Sequence, residues 1–295
     1  SFPVLFPPLK IGMQFAYNID IRFIRKRGNH MNLKRELTPE ELKKPYAKFY
    51  FQDLPTPDPT VVDIYKKGPM DWRDALDPED INDLLQPGYH KVETGYCQMP
   101  DGTAYIATLF KMPGVTLDMM NWWFAWHALE DLRYMIWYPG AHFSISVTEE
   151  GRKKICDPNI PPEEKHMNIT HTVCEDIMGV GEIPPPHSIP FIDMKTLGFD
   201  SDLYAKTPGI TVMGAVSDPN DKTLIPERHR ILLHYFRETE DGVELRTRTW
   251  RGCTLVNGKK VKMIPDGQKM PVGNIIKLTE HSSQEYTNLA RILPE

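Results

Sequence analysis

The chain has 295 residues, enough to bury a sizeable core and still wall a ligand pocket within one or two domains. Its 35 basic and 40 acidic residues give a net charge of −5 without a polybasic run, which argues against a nucleic-acid binder or a membrane-surface protein. No stretch of ~18 apolar residues suggests a membrane span, the start at 1–18 does not read as a signal peptide, and four scattered cysteines without a Cys-x-x-Cys pair read as free thiols of a soluble cytoplasmic protein.

Residues 1–86 read as a helical and irregular lead-in, ahead of a larger domain at 87–295. Thr38-Pro39-Glu40-Glu41 is a helix start, with Thr38 as cap and Glu41 closing a capping box. Asp77-Pro78-Glu79-Asp80 repeats that logic, and 54–63 reads as a proline-rich connector between them. Lys91 to Met99 and Thr103 to Lys111 read as strands joined at Pro100-Asp101-Gly102. Thr116 caps an apolar, proline-free segment, 117–137, that predicts one long helix ended by Pro139-Gly140. Further strands are expected at 143–147, 169–177 and 210–216, and a hairpin at 228–252 turns at Glu240-Asp241-Gly242. The end of the chain, 272–292, has helical spacing. Antiparallel strands with two long helices make an α+β protein, and the lack of strand–helix alternation argues against a doubly wound sheet.

No nucleophile elbow, phosphate loop or dinucleotide fingerprint is present. What remains is a set of histidines and carboxylates. His281 and Glu285 are one turn apart on the last helix, a natural two-ligand platform; an exposed helical pair has the same spacing. His127 ends the run Trp122-Trp123-Phe124-Ala125-Trp126-His127, where a core histidine with one partner is the ordinary alternative. Glu175 shares a strand face with Val173 and Ile177, so burial would demand a cation beside it. Glu130 and Asp131 are candidates to orient His127, or a charged helix face pairing with Arg133. Two imidazoles and two carboxylates suit zinc, with iron and manganese as competitors. The aromatics of 122–138, Trp123 and Tyr134 among them, suit a flat phenolic ligand or ordinary core packing.

At these residues the chain resembles the diacetylphloroglucinol hydrolase and phloretin hydrolase family. The matching stretches are Pro87-Gly88-Tyr89, Glu93-Thr94-Gly95-Tyr96-Cys97, the block from Met112-Pro113-Gly114 through Trp126-His127, and Arg133 through His142. They continue with His234-Tyr235-Phe236-Arg237, Asp241 through Trp250, and His281-Ser282-Ser283-Gln284-Glu285-Tyr286. The likeness covers about residues 85 to 295. It implies a Bet v 1-like helix-grip domain, a curved antiparallel sheet around a long C-terminal helix, carrying zinc on two His and two Glu. Carried over, these are His127, His281 and Glu285, with Glu175 as the fourth ligand and Glu163 or Glu164 as its alternatives.

The resemblance further implies hydrolysis of the carbon–carbon bond between an acyl group and a phloroglucinol-type ring, and makes a homodimer an expectation. His142 and His234 are then candidates for proton transfer or for holding ring hydroxyls, Glu130 is a further catalytic candidate, and Trp123, Tyr134, Arg237 and Arg248 are candidates for holding the substrate. Arg237, Arg246 and Arg248 fit a solvated sheet face equally well. Two rivals stand beside this reading: a metal-free helix-grip carrier of phenolics, against which the His281/Glu285 pair speaks, and an iron oxygenase on two His and a carboxylate.

Overall fold

The computed structural model describes residues 33–221 and 228–295; the segment 1–18, read above for a leader, lies outside them. Eight strands form one antiparallel sheet: β1 Gly95–Gln98, β2 Ala104–Pro113, β3 His142–Ser146, β4 Thr170–Glu175, β5 His187–Ile192, β6 Ile210–Val216, β7 Arg230–Thr239 and β8 Gly242–Arg251. Their spatial order is β1-β2-β8-β7-β6-β5-β4-β3, and β9 Cys253–Val256 with β10 Lys259–Lys262 makes a separate two-stranded ladder. The helices are α1 Pro39–Leu42, α2 Ala47–Phe51, α3 Pro59–Lys66, α4 Leu117–Trp126, α5 Asp131–Met135, α6 Glu149–Cys156, α7 Met194–Leu197, α8 Ser201–Ala205 and α9 Val272–Ile292. No described helix is long and apolar enough to cross a membrane.

Local chemistry sets the boundaries. The β1–β2 turn needs glycine: Gly102 has φ +86°, and a Cβ there would stand 2.2 Å from the Gln268 carbonyl oxygen. The 54–63 connector ends at Asp58, whose side chain accepts from the Thr60 amide and caps α3 with Pro59 in the first turn. The long helix expected at 117–137 is broken. α4 stops at Trp126, a single 3-10 turn holds His127–Leu129, and Glu130 turns extended before α5 restarts. There the Trp123 carbonyl, which accepts the His127 backbone N–H as the last helical bond, also meets the His127 ring Nδ1 at 2.6 Å. β5 escapes the sequence pattern because Pro190 sits inside it.

Side-chain alternation gives the sheet two faces. On the inner face, Met112 of β2, Phe236 of β7 and Leu245 of β8 pack with α4, α5 and α9 into one core that includes Trp123, Trp137 and Tyr286. α9 buries Ile275, Thr279, Ser283, Tyr286 and Leu289, at helical spacing, toward that face. Asn288 of α9 donates to the Ile136 and Trp137 carbonyls at 3.0 and 2.8 Å, pinning the helix to the turn before β3. Each large apolar side chain buried here contributes about 1.5–3 kcal/mol. On the outer face, Tyr105, Leu233, Tyr235 and Trp250 pack under the 76–85 segment and α7.

Candidate metal centre and cavity

His142 opens β3 directly opposite Glu175 of β4 in the ladder register. α9 brings His281 and Glu285, one turn apart, onto the same point. Among the described residues these four side chains offer ligand atoms that all lie within 4.8 Å of one another. His142 Nε2 stands 3.3 Å from His281 Nε2, 3.4 Å from Glu175 Oε2 and 3.5 Å from Glu285 Oε2. His281 Nε2 is 3.5 Å from Glu175 Oε2 and 3.9 Å from Glu285 Oε2. Ligand atoms held at ~2.0–2.1 Å around a tetrahedral zinc are about 3.3 Å apart, so the four atoms fit such an ion.

The surroundings orient each ligand. His142 Nδ1 lies 3.2 Å from the Tyr134 carbonyl, and as the protonated nitrogen it leaves Nε2 free. The Tyr134 ring stacks on the His142 ring at 4.0 Å, and its hydroxyl donates to Glu175 Oε2 at 2.7 Å. His187 Nε2 sits at ion-pair distance, 3.1 Å, from Glu175 Oε1. Burial raises the Glu175 pKa, but His187 and His281 outweigh it and hold this carboxyl well below its usual range. Burial would lower the His281 pKa, and the Glu175 and Glu285 carboxylates reverse that, leaving it raised. Two buried carboxylates this close need positive charge between them, which a divalent cation supplies.

The group opens into a cavity of about 450 Å³, a size suited to a small organic ligand. Ile106, Phe124, Phe191 and Leu232 give it apolar walls, and His127, His171 and His234 add imidazoles. Burial pushes the His127 and His234 pKa values down to about 3 and that of His171 well below its usual value, so these rings are neutral. The Tyr286 hydroxyl lies 3.2 Å from His234 Nε2, and burial beside Glu285 and Glu175 raises its own pKa well above normal.

The sequence-derived candidates divide. The structure brings Glu175, His281 and Glu285 together. His127 does not join them: its Nδ1 is engaged by the Trp123 carbonyl and its ring stacks on Trp123. His142 occupies the position given to His127, having been read as a proton-transfer group. Glu163 and Glu164 lie exposed on a separate 3-10 turn. His234 and Tyr134 line the cavity. Trp123 does not; it is buried against Trp126 and Trp137. Glu130 is corrected to a peripheral residue, accepting from the Tyr46 hydroxyl at 2.9 Å and pairing with Arg133 at 3.3 Å.

Arg237 and Arg248 are corrected too. Both project from the outer face, Arg237 pairing with Glu244 and Arg248, fully buried, with Glu93. Neither lines the cavity. Sequence reasoning missed His187, hidden in the unpredicted β5, and the cavity arginines Arg228, Arg230 and Arg251. Strand parity with His234 was the available signal for the first two of these arginines.

Residues 76–295 match the family model described as the DAPG hydrolase PhiG domain. The chain is 34% identical over 212 residues to the 2,4-diacetylphloroglucinol hydrolase of Pseudomonas protegens, covering 71% of this chain and 66% of that protein. It is 30% identical over 258 residues to the phloretin hydrolase of Eubacterium ramulus, covering 86% and 90%. The solved norcoclaurine synthase of Thalictrum flavum overlaps 50% of this chain and 69% of its own at 11% identity and a TM-score of 0.30, a likeness that carries no argument.

Proposed function

We propose, for a chain that belongs to the DAPG hydrolase family, a zinc-dependent hydrolysis of the carbon–carbon bond between an acyl group and a phloroglucinol-type ring. Water's hydroxyl goes to the acyl carbon, giving a carboxylic acid, and a proton goes to the ring carbon, giving the deacylated phenol. The observation that carries this reading is the near-tetrahedral set of His142, Glu175, His281 and Glu285 opening into the cavity.

Zinc bound there would polarise an acyl oxygen and lower the pKa of a bound water toward ~7. The remaining work falls to the chain. Tyr134 and His187 fix Glu175, and the Tyr134 carbonyl fixes His142. Phe124 and Phe191 form flat walls suited to an aromatic ring and exclude bulk water. His234, neutral and beside the Tyr286 hydroxyl, is placed to hold a ring hydroxyl, while the proton that the ring carbon gains is the one released by the water whose hydroxyl goes to the acyl carbon. In the keto tautomer that carbon lies between carbonyls and leaves as an enolate, which a bare aryl carbon could not do at neutral pH.

The long α9 laid against the inner face of the antiparallel sheet supports the helix-grip reading of 87–295. The lead-in packs onto this unit through α2 against α5 and α3 against α9. The four free cysteines support a cytoplasmic setting.

Elemental mass spectrometry of purified protein tests the proposal beside an assay for phenol release from acylphloroglucinols. Near-stoichiometric zinc is expected in the parent and in His127→Ala. His142→Ala should lose the metal and at least about 10³-fold of turnover while keeping its fold. A His142→Ala protein that retains both metal and turnover sinks the assignment, and a metal-free parent supports the carrier instead.

A further inference from the structure

The cavity's charges are unevenly placed. Its only carboxylates among the described lining residues are Glu175 and Glu285, both in the four-residue group, and no lysine lines it. Three arginines do: Arg228, Arg230 and Arg251. A divalent cation in the group would neutralise the two carboxylates, so neither would be left to balance Arg230.

Two of the three share one level of the sheet. Arg230 of β7 and Arg251 of β8 are direct partners in the ladder register, which places both side chains on the cavity side of the sheet. Arg230 is partly buried and donates to the Ser188 carbonyl at 3.2 Å, a neutral partner. Among the described residues no carboxylate lies within ion-pair distance of it. Burial lowers its pKa, countered by the more distant Glu175 charge. A guanidinium withdrawn from water without a close counter-charge is costly, and an anionic ligand supplies what the lining lacks.

Position along the cavity says which part of a ligand carries the charge. His234 is four residues from Arg230 on β7, about 13 Å along the strand. Around His234 the walls are apolar or neutral: the Phe124 ring at 6.0 Å and the Tyr286 ring at 5.5 Å. On one side Glu175 meets His187 at 3.1 Å, and Arg230 donates to the carbonyl of the next residue, Ser188; on the other Glu285 precedes Tyr286, which meets His234 at 3.2 Å, so the metal group lies between the two ends. An acyl carbonyl at that group would direct the ring toward His234 and the acyl chain toward the arginines.

We propose that Arg230, with Arg228 and Arg251, forms an anion-recognition subsite, and that the preferred substrates are acylphenols whose acyl chain ends in a carboxylate. This rests on the hydrolase reading above. Two uncleavable probes test it: phloroglucinol bearing a butanoic acid side chain, and neutral butylphloroglucinol, each titrated by calorimetry into the zinc-loaded full chain. The acid should bind about tenfold or more tightly than the neutral probe, less so at high salt. Arg230→Gln should erase the preference and leave the neutral probe's affinity unchanged, and Arg230→Lys should restore part of it. Equal affinities in the parent, or an Arg230→Gln loss shared by both probes, overturn the subsite. Butyrylphloroglucinol cleavage is assayed in the same protein. Cleavage without the preference overturns the subsite alone, the preference without cleavage overturns the hydrolase reading alone, and no binding of either probe overturns both.

Discussion

The two faces of the eight-stranded sheet both bury charge, and they use it in opposite ways. On the outer face Glu93 lies between Arg246, whose Nη2 donates at 2.6 Å, and the fully buried Arg248. Glu244 is shared in the same manner by Arg237 Nε at 2.6 Å and the Tyr89 hydroxyl at 2.8 Å. These charges close on one another. On the inner face the charged and polar groups converge on open space: four ligand atoms around one point, and arginines at the cavity's edge. Adjacent residues of one strand serve the two purposes, since Thr247 and Thr249 line the cavity while Arg246 and Arg248 hold Glu93, just ahead of β1. Charge in a strand signals function only once its parity is known.

Removing the centre of the outer network should give the largest effect. Glu93→Ala leaves two buried guanidinium groups without their carboxylate, and breaking such an arrangement costs about 3–5 kcal/mol. Denaturant unfolding should show that loss, while the folded fraction keeps its metal. Metal lost in proportion to stability would mean that the two faces are not separable.

Acid sharpens the contrast. His127, His166 and His234 have pKa values lowered by burial to about 3, 4 and 3, so the unfolded chain binds protons that the folded one refuses. Their contribution is fully present above the unfolded value near 6.5 and is lost as pH falls toward 4. Glu93 behaves differently. Burial raises its pKa, but Arg246 and Arg248 bring it down to about 2, so its contribution is intact until pH drops below about 4.5. Stability measured against pH should therefore begin to fall near 6.5, with a further loss below 4.5. A flat profile from 6.5 to 4.5 would show that the inner-face imidazoles are not held neutral.

How much of this was legible in the sequence follows from the same geometry. The β1–β2 and β7–β8 hairpins, α9 and its His281/Glu285 pair are set by local signals: turn residues, alternation, and spacing of four. Glu175 was legible from its apolar neighbours on one strand face. The second histidine was not, because the choice between His127 and His142 depends on where α4 ends. The break comes where Glu130 turns extended after the 3-10 turn, and no periodicity reports it. The pairing of His142 with Glu175 depends on the β3–β4 register, a contact across 33 residues fixed by the sheet. Arg248 was misplaced for the converse reason: its chemistry suits a phenolate, but its strand parity turns it away.

The smallest expected effect tests the boundary of the inner face. Glu130 follows His127 closely in sequence and is a catalytic candidate on that ground, yet its carboxylate lies among Tyr46, Arg133 and Lys44. Lys44 is 43% exposed at a distance of 3.7 Å, so that pair contributes little. Arg133 retains its place over the Trp126 ring, 4.6 Å from the centroid, without Glu130. Glu130→Ala should therefore cost no more than ~1 kcal/mol in stability and leave zinc content and turnover of acylphloroglucinols unchanged. Because α5 begins at the next residue, a modest drop in unfolding midpoint is compatible with a purely local role. A tenfold fall in turnover with unaltered zinc would instead place Glu130 in the reaction, and would show that the working region extends past the cavity wall to the lead-in that Tyr46 belongs to.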